Sequence, residues 1–159
     1  MKEIQNTNYQ YPKDFIKGVL INEIGDITEK HPYLSFVLIS VGIEFLGRCI
    51  DDSVRWEEQK SGLFNNAIAK LMPRYMPYRL YELMRCGLAH SMTPQKGLDL
   101  TEIKHNKKHL SVDSDGRLVL VIEDFYNDFK CACEKVINKI DNKTYKQNSK
   151  IYKTLLEVE

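Results

Sequence analysis

The 159-residue chain lacks most of the signatures that announce a function. It has no glycine-rich phosphate loop, no Walker pattern and no Gly-x-Ser-x-Gly elbow, which excludes the common nucleotide-cradling and hydrolase motifs. No stretch reaches the roughly 18 consecutive apolar residues a membrane helix needs. "YLSFVLISVGIEFLG" (33 to 47) comes nearest, but Ser35, Ser40 and Glu44 interrupt it and Arg48 follows. The expectation is a core helix and no membrane partner. The opening "MKEIQNTNYQ" is polar and lacks the apolar centre of a signal peptide, so a cytoplasmic location is expected. Cys49, Cys86, Cys131 and Cys133 show no zinc-type spacing. Cys131 and Cys133 point in nearly opposite directions on a helix, so reduced, mostly buried thiols are expected, with neither disulfide nor metal nor other cofactor. Internal repeats and low-complexity segments are also missing.

Charge is the first positive feature. The formal net charge of +1 conceals an uneven distribution. Residues 1 to 60 carry 7 Lys/Arg against 10 Asp/Glu, whereas residues 70 to 110 carry 8 against 3 and hold three of the four histidines. Such a basic segment can collect phosphate, or can simply be a solvated face.

Apolar periodicity organises the chain into helices. Phe15, Ile16, Val19, Leu20, Ile24 and Ile27 recur at helical spacing, and Pro32 suits the first turn of a second helix over about 33 to 51. That helix is apolar nearly all round, which makes it the central one. A third, at about 61 to 72, turns Leu63, Phe64, Ala67, Ile68 and Leu71 inward. A fourth starts near Pro77, with Leu80, Tyr81, Met84 and Leu88 as its inner stripe, and Thr93-Pro94 limits it. Residues 98 to 103 and 109 to 122 alternate like strands around Asp115-Gly116, which predicts a small hairpin. Helical spacing resumes through Phe125, Phe129, Cys133, Val136 and Ile140. The expected fold is mainly α, an antiparallel bundle of four to five helices with a β-hairpin inserted before the last long one. It forms a single domain with its core at about 13 to 141. Residues 142 to 159 make a polar tail, with room for a short docked helix.

The chemically marked stretch is "LMRCGLAHSMTP". Arg85 and His90 are five positions apart, about 140° around an ideal helix, so they do not share a face. Their cooperation requires the helix to end or bend between them, or a partner subunit. Gly87 loosens the helix by roughly 1 kcal/mol relative to alanine. Without such cooperation, His90 is a histidine favoured by a helix C-terminus and Arg85 a surface arginine.

"MRCGLAHSMTP", on the helix before the predicted hairpin of a helical chain, resembles the R-x4-6-H motif of the HEPN superfamily (higher eukaryotes and prokaryotes nucleotide-binding). The likeness is close over about 80 to 95 and loose over 13 to 140. It implies a metal-independent endoribonuclease of defence, toxin or stress systems, commonly a homodimer with two motifs at one cleft, with RNA as substrate and an antitoxin or regulatory protein as a further partner. By implication His90 assists proton transfer at the ribose 2′-OH or the leaving oxygen, and Arg85 binds the scissile phosphate. One departure stands out: active members often carry asparagine or aspartate directly after the arginine, where this chain has Cys86. The resemblance therefore also allows a non-catalytic module that binds a nucleotide, an RNA or a protein.

Four groups of residues support or compete with that site. Glu44, in the most apolar helix, pairs with Arg85 if buried, or else lies on a solvent stripe or pairs with Arg48 at i+4. Ser91 caps the helix end or contacts phosphate. Arg79 and Tyr78, together with Tyr75 and Tyr81, interleave aromatics with a cation, as base-stacking surfaces do, or pack on the bundle. Lys96, Lys104, Lys107 and Lys108 extend a basic surface for RNA, or form a soluble turn. His105 and His109 have a metal-like spacing only on a helix, which their strand-like surroundings argue against.

Overall fold

The computed structural model describes residues 9–56, 58, 60–142 and 151. The expected tail helix lies outside the described residues, apart from Ile151, whose N–H donates to the Gln10 carbonyl at 2.7 Å. Six α-helical segments are described: α1 (Pro12–Phe15), α2 (Ile24–Thr28), α3 (Pro32–Cys49), α4 (Leu63–Leu71), α5 (Cys86–Ser91) and α6 (Ile122–Asp141). A π-helical stretch, Ile16–Glu23, joins α1 to α2, and a second, Tyr81–Arg85, leads directly into α5. The molecule is mainly helical, as the apolar periodicity predicts.

The helices pack around α3, against which α4 and α6 make the most extensive contacts. Phe36, Ile39, Ile43 and Leu46 of α3 are essentially inaccessible. So are Phe125, Phe129, Ala132, Cys133 and Val136, the inner stripe of α6. Aromatic rings link the elements: Phe125 lies 5.9 Å from Phe36 and 5.5 Å from Tyr75, centroid to centroid. Close approach of α3 to the start of α4 depends on Gly47, where a Cβ would stand 2.0 Å from the Leu63 carbonyl oxygen. The inner positions expected for α4 are all buried.

α3 is central, as its apolar pattern predicts, but one of its apolar faces is open. Leu34, Leu38 and Val41 are 45%, 44% and 48% exposed, a stripe at i, i+4 and i+7 along one face. An apolar cavity of about 350 Å³ opens beside it, bounded by Val19, Ile24 and Ile27 on one side and Leu38, Val41 and Phe45 on the other. By length and composition alone α3 could cross a membrane, and half of it is buried inside the molecule.

The hairpin expectation is also corrected. β1 (Leu98–Thr101) and β2 (Leu118–Val121) pair in parallel, Leu98 opposite Leu118 and Thr101 opposite Val121. Asp115-Gly116 does reverse the chain: the Asp113 carboxylate accepts from the backbone N–H groups of Asp115 and Arg117, both at 2.9 Å. However, the arm that returns along β2 is 110 to 112, which forms a single antiparallel bridge from Val112 to Leu118. The alternating pattern was shared between two short partners, so the turn residues identified a reversal but not the strand across the sheet. All four residues of β2 are buried, as a strand covered on both faces requires. A further difference concerns Pro77, which lies inside a 3-10 turn, Pro73–Tyr78, rather than at the start of the fourth helix. Arg79, in the left-handed region at φ 49°, separates that turn from the helix.

Candidate functional site

Arg85 is the last residue of the second π segment and His90 is the fifth of the six residues of α5. They meet within one chain: Arg85 Nη1 lies 3.0 Å from His90 Nε2. The predicted 140° separation does not prevent this contact. The π turn, in which the Cys86 N–H bonds back to the Tyr81 carbonyl, ends at Arg85, and Cys86–Ser91 is α-helical, so it is the length of the arginine side chain that closes the gap to His90. Neither a helix break nor a partner subunit is needed to bring the two together.

Glu44 completes the group. Its Oε2 accepts from Arg85 Nε at 2.6 Å, across from α3, with the arginine side chain 18% and the carboxylate 26% exposed. Of the two partners open to Glu44, the fold therefore selects Arg85. Arg48 instead donates from Nη1 to the carbonyls of Arg55, Trp56 and Glu58, closing the loop after α3.

The contact also fixes a tautomer. A guanidinium has no acceptor, so His90 Nε2 must supply the lone pair and Nδ1 carries the proton of a neutral ring. His90 is exposed, and the structure thus presents a neutral imidazole whose basic nitrogen faces a cation held on its other side by a carboxylate.

The residues after the motif are strapped in place. Ser91 Oγ donates to the Gly87 carbonyl at 2.9 Å and lies 3.0 Å from Thr93 Oγ1, so its role is to finish the helix. Met92 adopts φ 58°, and its carbonyl accepts a hydrogen bond from the hydroxyl of Tyr33, in the first turn of α3. The Gln95 N–H returns to the Leu83 carbonyl at 2.9 Å. Gly87 makes room for this fold-back, since a Cβ there would sit 2.2 Å from the Thr93 carbonyl oxygen. Sequence reasoning read Gly87 only as a weak point in a helix; its function in the fold is close approach.

Cys86 is half-buried, next to Tyr81. The Cys86 thiol, its charge and its hydrogen bond to Tyr81, raises the phenol's pKa, with lesser burial. The other predicted residues are more dispersed. Tyr78 is half-buried against the core, and Tyr75 is 1% exposed and cannot stack a base. Arg79 pairs with Glu82 at 3.4 Å, Lys104 with Glu102 at 2.9 Å, and Lys107 with Asp99. Lys96 and Lys108 are exposed. Of the thiols, Cys49 and Cys133 are buried as expected, with burial raising both pKa values far above the ordinary thiol range, whereas Cys131 is exposed.

A second polar group escaped sequence reasoning. Tyr75 donates to Asp128 Oδ2 at 2.6 Å and lies 2.8 Å from His109 Nε2, and Arg74 Nη1 reaches the same carboxylate oxygen at 3.0 Å. His109 Nδ1 accepts from the Val121 N–H at 3.0 Å, so its proton is on Nε2 and is given to Tyr75. The residues come from four separate stretches of chain, and no local pattern could join them. The spacing of His105 and His109 is incidental: His105 ends a 3-10 turn beside Glu102, and His109 serves this network.

Comparison with known proteins leaves the geometry as the sole guide: no protein-family model, curated protein or solved structure matches the chain.

Proposed function

We propose that the chain is a metal-independent endoribonuclease of HEPN type, acting in a defence, toxin or stress setting. The antiparallel ordering of its helices, a cytoplasmic location and a homodimer with two such sites at one cleft belong to the same reading. The observation that carries it is the line Glu44–Arg85–His90, in which an exposed neutral imidazole touches a guanidinium oriented by a carboxylate.

This arrangement suits cleavage by the neighbouring ribose. The 2′-oxygen attacks phosphorus and the P–O5′ bond breaks, leaving a 2′,3′-cyclic phosphate. Once the Arg85 N–H that Nε2 accepts has turned to the phosphate, His90 Nε2 takes the 2′-OH proton, and O5′ leaves with a proton from solvent or from a second copy's imidazole. The Arg85 donors left over from Glu44 and His90 neutralise charge on the non-bridging oxygens as it develops. Glu44 holds the guanidinium in one orientation, so less ordering remains to be done when the substrate binds.

One observation favours a second reading. Arg85 already spends Nε on Glu44 and Nη1 on His90, which lowers its net pull on a phosphate, and Cys86 stands where active members of the superfamily often carry asparagine or aspartate. The alternative is a binding module of the same fold that holds a nucleotide, RNA or protein without turnover. Purified protein incubated with single-stranded RNA in EDTA separates the two. Cleavage to cyclic-phosphate ends, lost in His90→Ala, supports the nuclease. Saturable binding with intact RNA supports the module. Equal cleavage by wild type and His90→Ala would refute the role given to His90.

A further inference from the structure

A cavity of about 230 Å³ lies between the start of α3 and the end of β1. Its apolar walls include Tyr33, Phe36 and Leu100, and its polar rim is Thr101, Glu102 and His105. Two features separate it from an ordinary surface dent. Thr101 is only 9% exposed, yet its hydroxyl has no hydrogen-bond partner among the described residues. Buried hydroxyls are nearly always bonded, so one left open beside a cavity points to a ligand. Moreover, Tyr33 belongs both to this cavity and to the candidate site: its ring is a wall and its hydroxyl holds the Met92 carbonyl, two residues beyond His90. Two residues of chain span at most about 7.2 Å, so the Tyr33 side chain bridges from the cavity to the chain just after the motif.

Resting on the ribonuclease reading, we propose that this cavity receives a guanine base of the RNA whose phosphate lies at Arg85 and His90. Tyr33, 41% exposed, offers a ring for stacking. Glu102 can only accept, and guanine alone among the bases presents two adjacent donors, N1–H and the 2-amino group, to one carboxylate. The Thr101 hydroxyl supplies the donor that O6 requires. Adenine would turn its unprotonated N1 toward Glu102, and uracil two carbonyls and a single N–H. The present partners of Glu102, Lys104 at 2.9 Å and His105 at 3.8 Å, are both more than half exposed, so exchanging them for a base costs little and frees a cation for the backbone.

The test titrates guanosine, adenosine, cytidine and uridine 5′-monophosphates into the whole chain, following backbone amides by NMR. In parallel, RNA oligonucleotides bearing one guanosine are assayed for cleavage. Guanosine monophosphate is expected to shift the Tyr33, Thr101 and Glu102 amides and to bind about tenfold or more tighter than the others, the scale of a good two-donor base contact. Glu102→Gln should erase that preference, Thr101→Val should weaken it, and Tyr33→Phe should keep stacking. Equal affinity for all four nucleotides, or shifts confined to Arg85 and His90, overturns the proposal. A guanine preference that survives Glu102→Gln also overturns it. Failure of the two ideas is distinguishable: base binding without cleavage removes the nuclease and leaves the pocket, whereas cleavage indifferent to sequence, with unperturbed Thr101 and Glu102, removes the pocket alone.

Discussion

Among the described residues, arginine, histidine and a carboxylate occur together twice, with opposite consequences. In the Glu44–Arg85–His90 group the imidazole is exposed, keeps its proton on Nδ1 and turns Nε2 toward a cation. In the Arg74–Tyr75–His109–Asp128 group the imidazole is half-buried, carries its proton on Nε2 and has both nitrogens committed, one to a phenol and one to a backbone N–H. The first histidine is exposed, and its one lone pair is held only by Arg85, a phosphate-binding group that can release it. The second is a pin between β2, the 3-10 turn and α6. Residue types do not separate a reactive group from a structural one here; tautomer and access do.

The sharpest way to break this comparison is to remove each ring. His90→Ala should lower RNA cleavage by about 10²-fold or more, the usual contribution of a general base, with little change in Tm. Arg85→Lys should fall similarly, because one ammonium cannot bond Glu44 and His90 and still present a fork to phosphate. His109→Ala should do the reverse. It leaves the Val121 N–H without its acceptor and Tyr75 without one partner, costing roughly 1–3 kcal/mol of stability, while activity per folded molecule persists. Loss of cleavage in folded His109→Ala would assign the chemistry to the wrong histidine. Cleavage rates and thermal melts on the same preparations decide.

Next in size is Gly87→Ala. The added methyl meets the Thr93 carbonyl oxygen at 2.2 Å, and backbone cannot yield as a flexible side chain does. Overpacking of this kind costs roughly 1–3 kcal/mol. Displacing 92 to 95 should also weaken the Tyr33–Met92 tie and slow cleavage, whereas nothing in the second group should change. A crystal structure or NMR shifts at His109 would check the last point.

The two groups were unequally legible in the sequence. The helices were readable because burial of one face imposes spacing: Phe125, Phe129, Cys133 and Val136 stand where a 3.6-residue period places them, and each is buried. Glu44 could be nominated because a charged residue in an apolar helix demands a partner, and Arg85 and His90 because "MRCGLAHSMTP" resembles the HEPN motif. Their contact could not be derived, because angular positions around a helix do not show how far a long arginine side chain reaches along it. The parallel pairing of β1 with β2 was hidden because alternation shows which residues face inward but not which strand lies alongside. The Tyr75–His109–Asp128 group was invisible: its members are 34 and 53 residues apart along the chain.

A smaller effect comes from pH. Burial lowers the pKa of His109 below its ordinary value of 6.5, outweighing the opposing pull of Asp124 and Asp128, while Arg74 adds to the lowering. The unfolded chain therefore binds a proton that the folded chain refuses, and stability rises with pH across that interval. The contribution is fully present above the unfolded value and is lost as pH falls from about 6.5 through the folded value. Protonated Nδ1 would point a second N–H at Val121. Denaturant midpoints measured from pH 7.5 to 5 should decline, and His109→Gln should flatten the decline. The same slope in that variant would move its origin to another group.

The smallest expected change is the counterpart of Arg85→Lys. Arg74 is 57% exposed and contributes one nitrogen to Asp128, which the Tyr75 hydroxyl already satisfies from the interior. Surface ion pairs of this kind contribute about 0–1 kcal/mol, and a lysine can keep a single contact. Arg74→Lys should therefore leave Tm within a few degrees of wild type and cleavage unchanged, in contrast to the collapse of activity in Arg85→Lys. A large loss of stability would mean that Asp128 relies on the guanidinium rather than on Tyr75. The pin at His109 would then rest on a surface charge, and the denaturant midpoint of Arg74→Lys should fall with added salt far more than that of wild type.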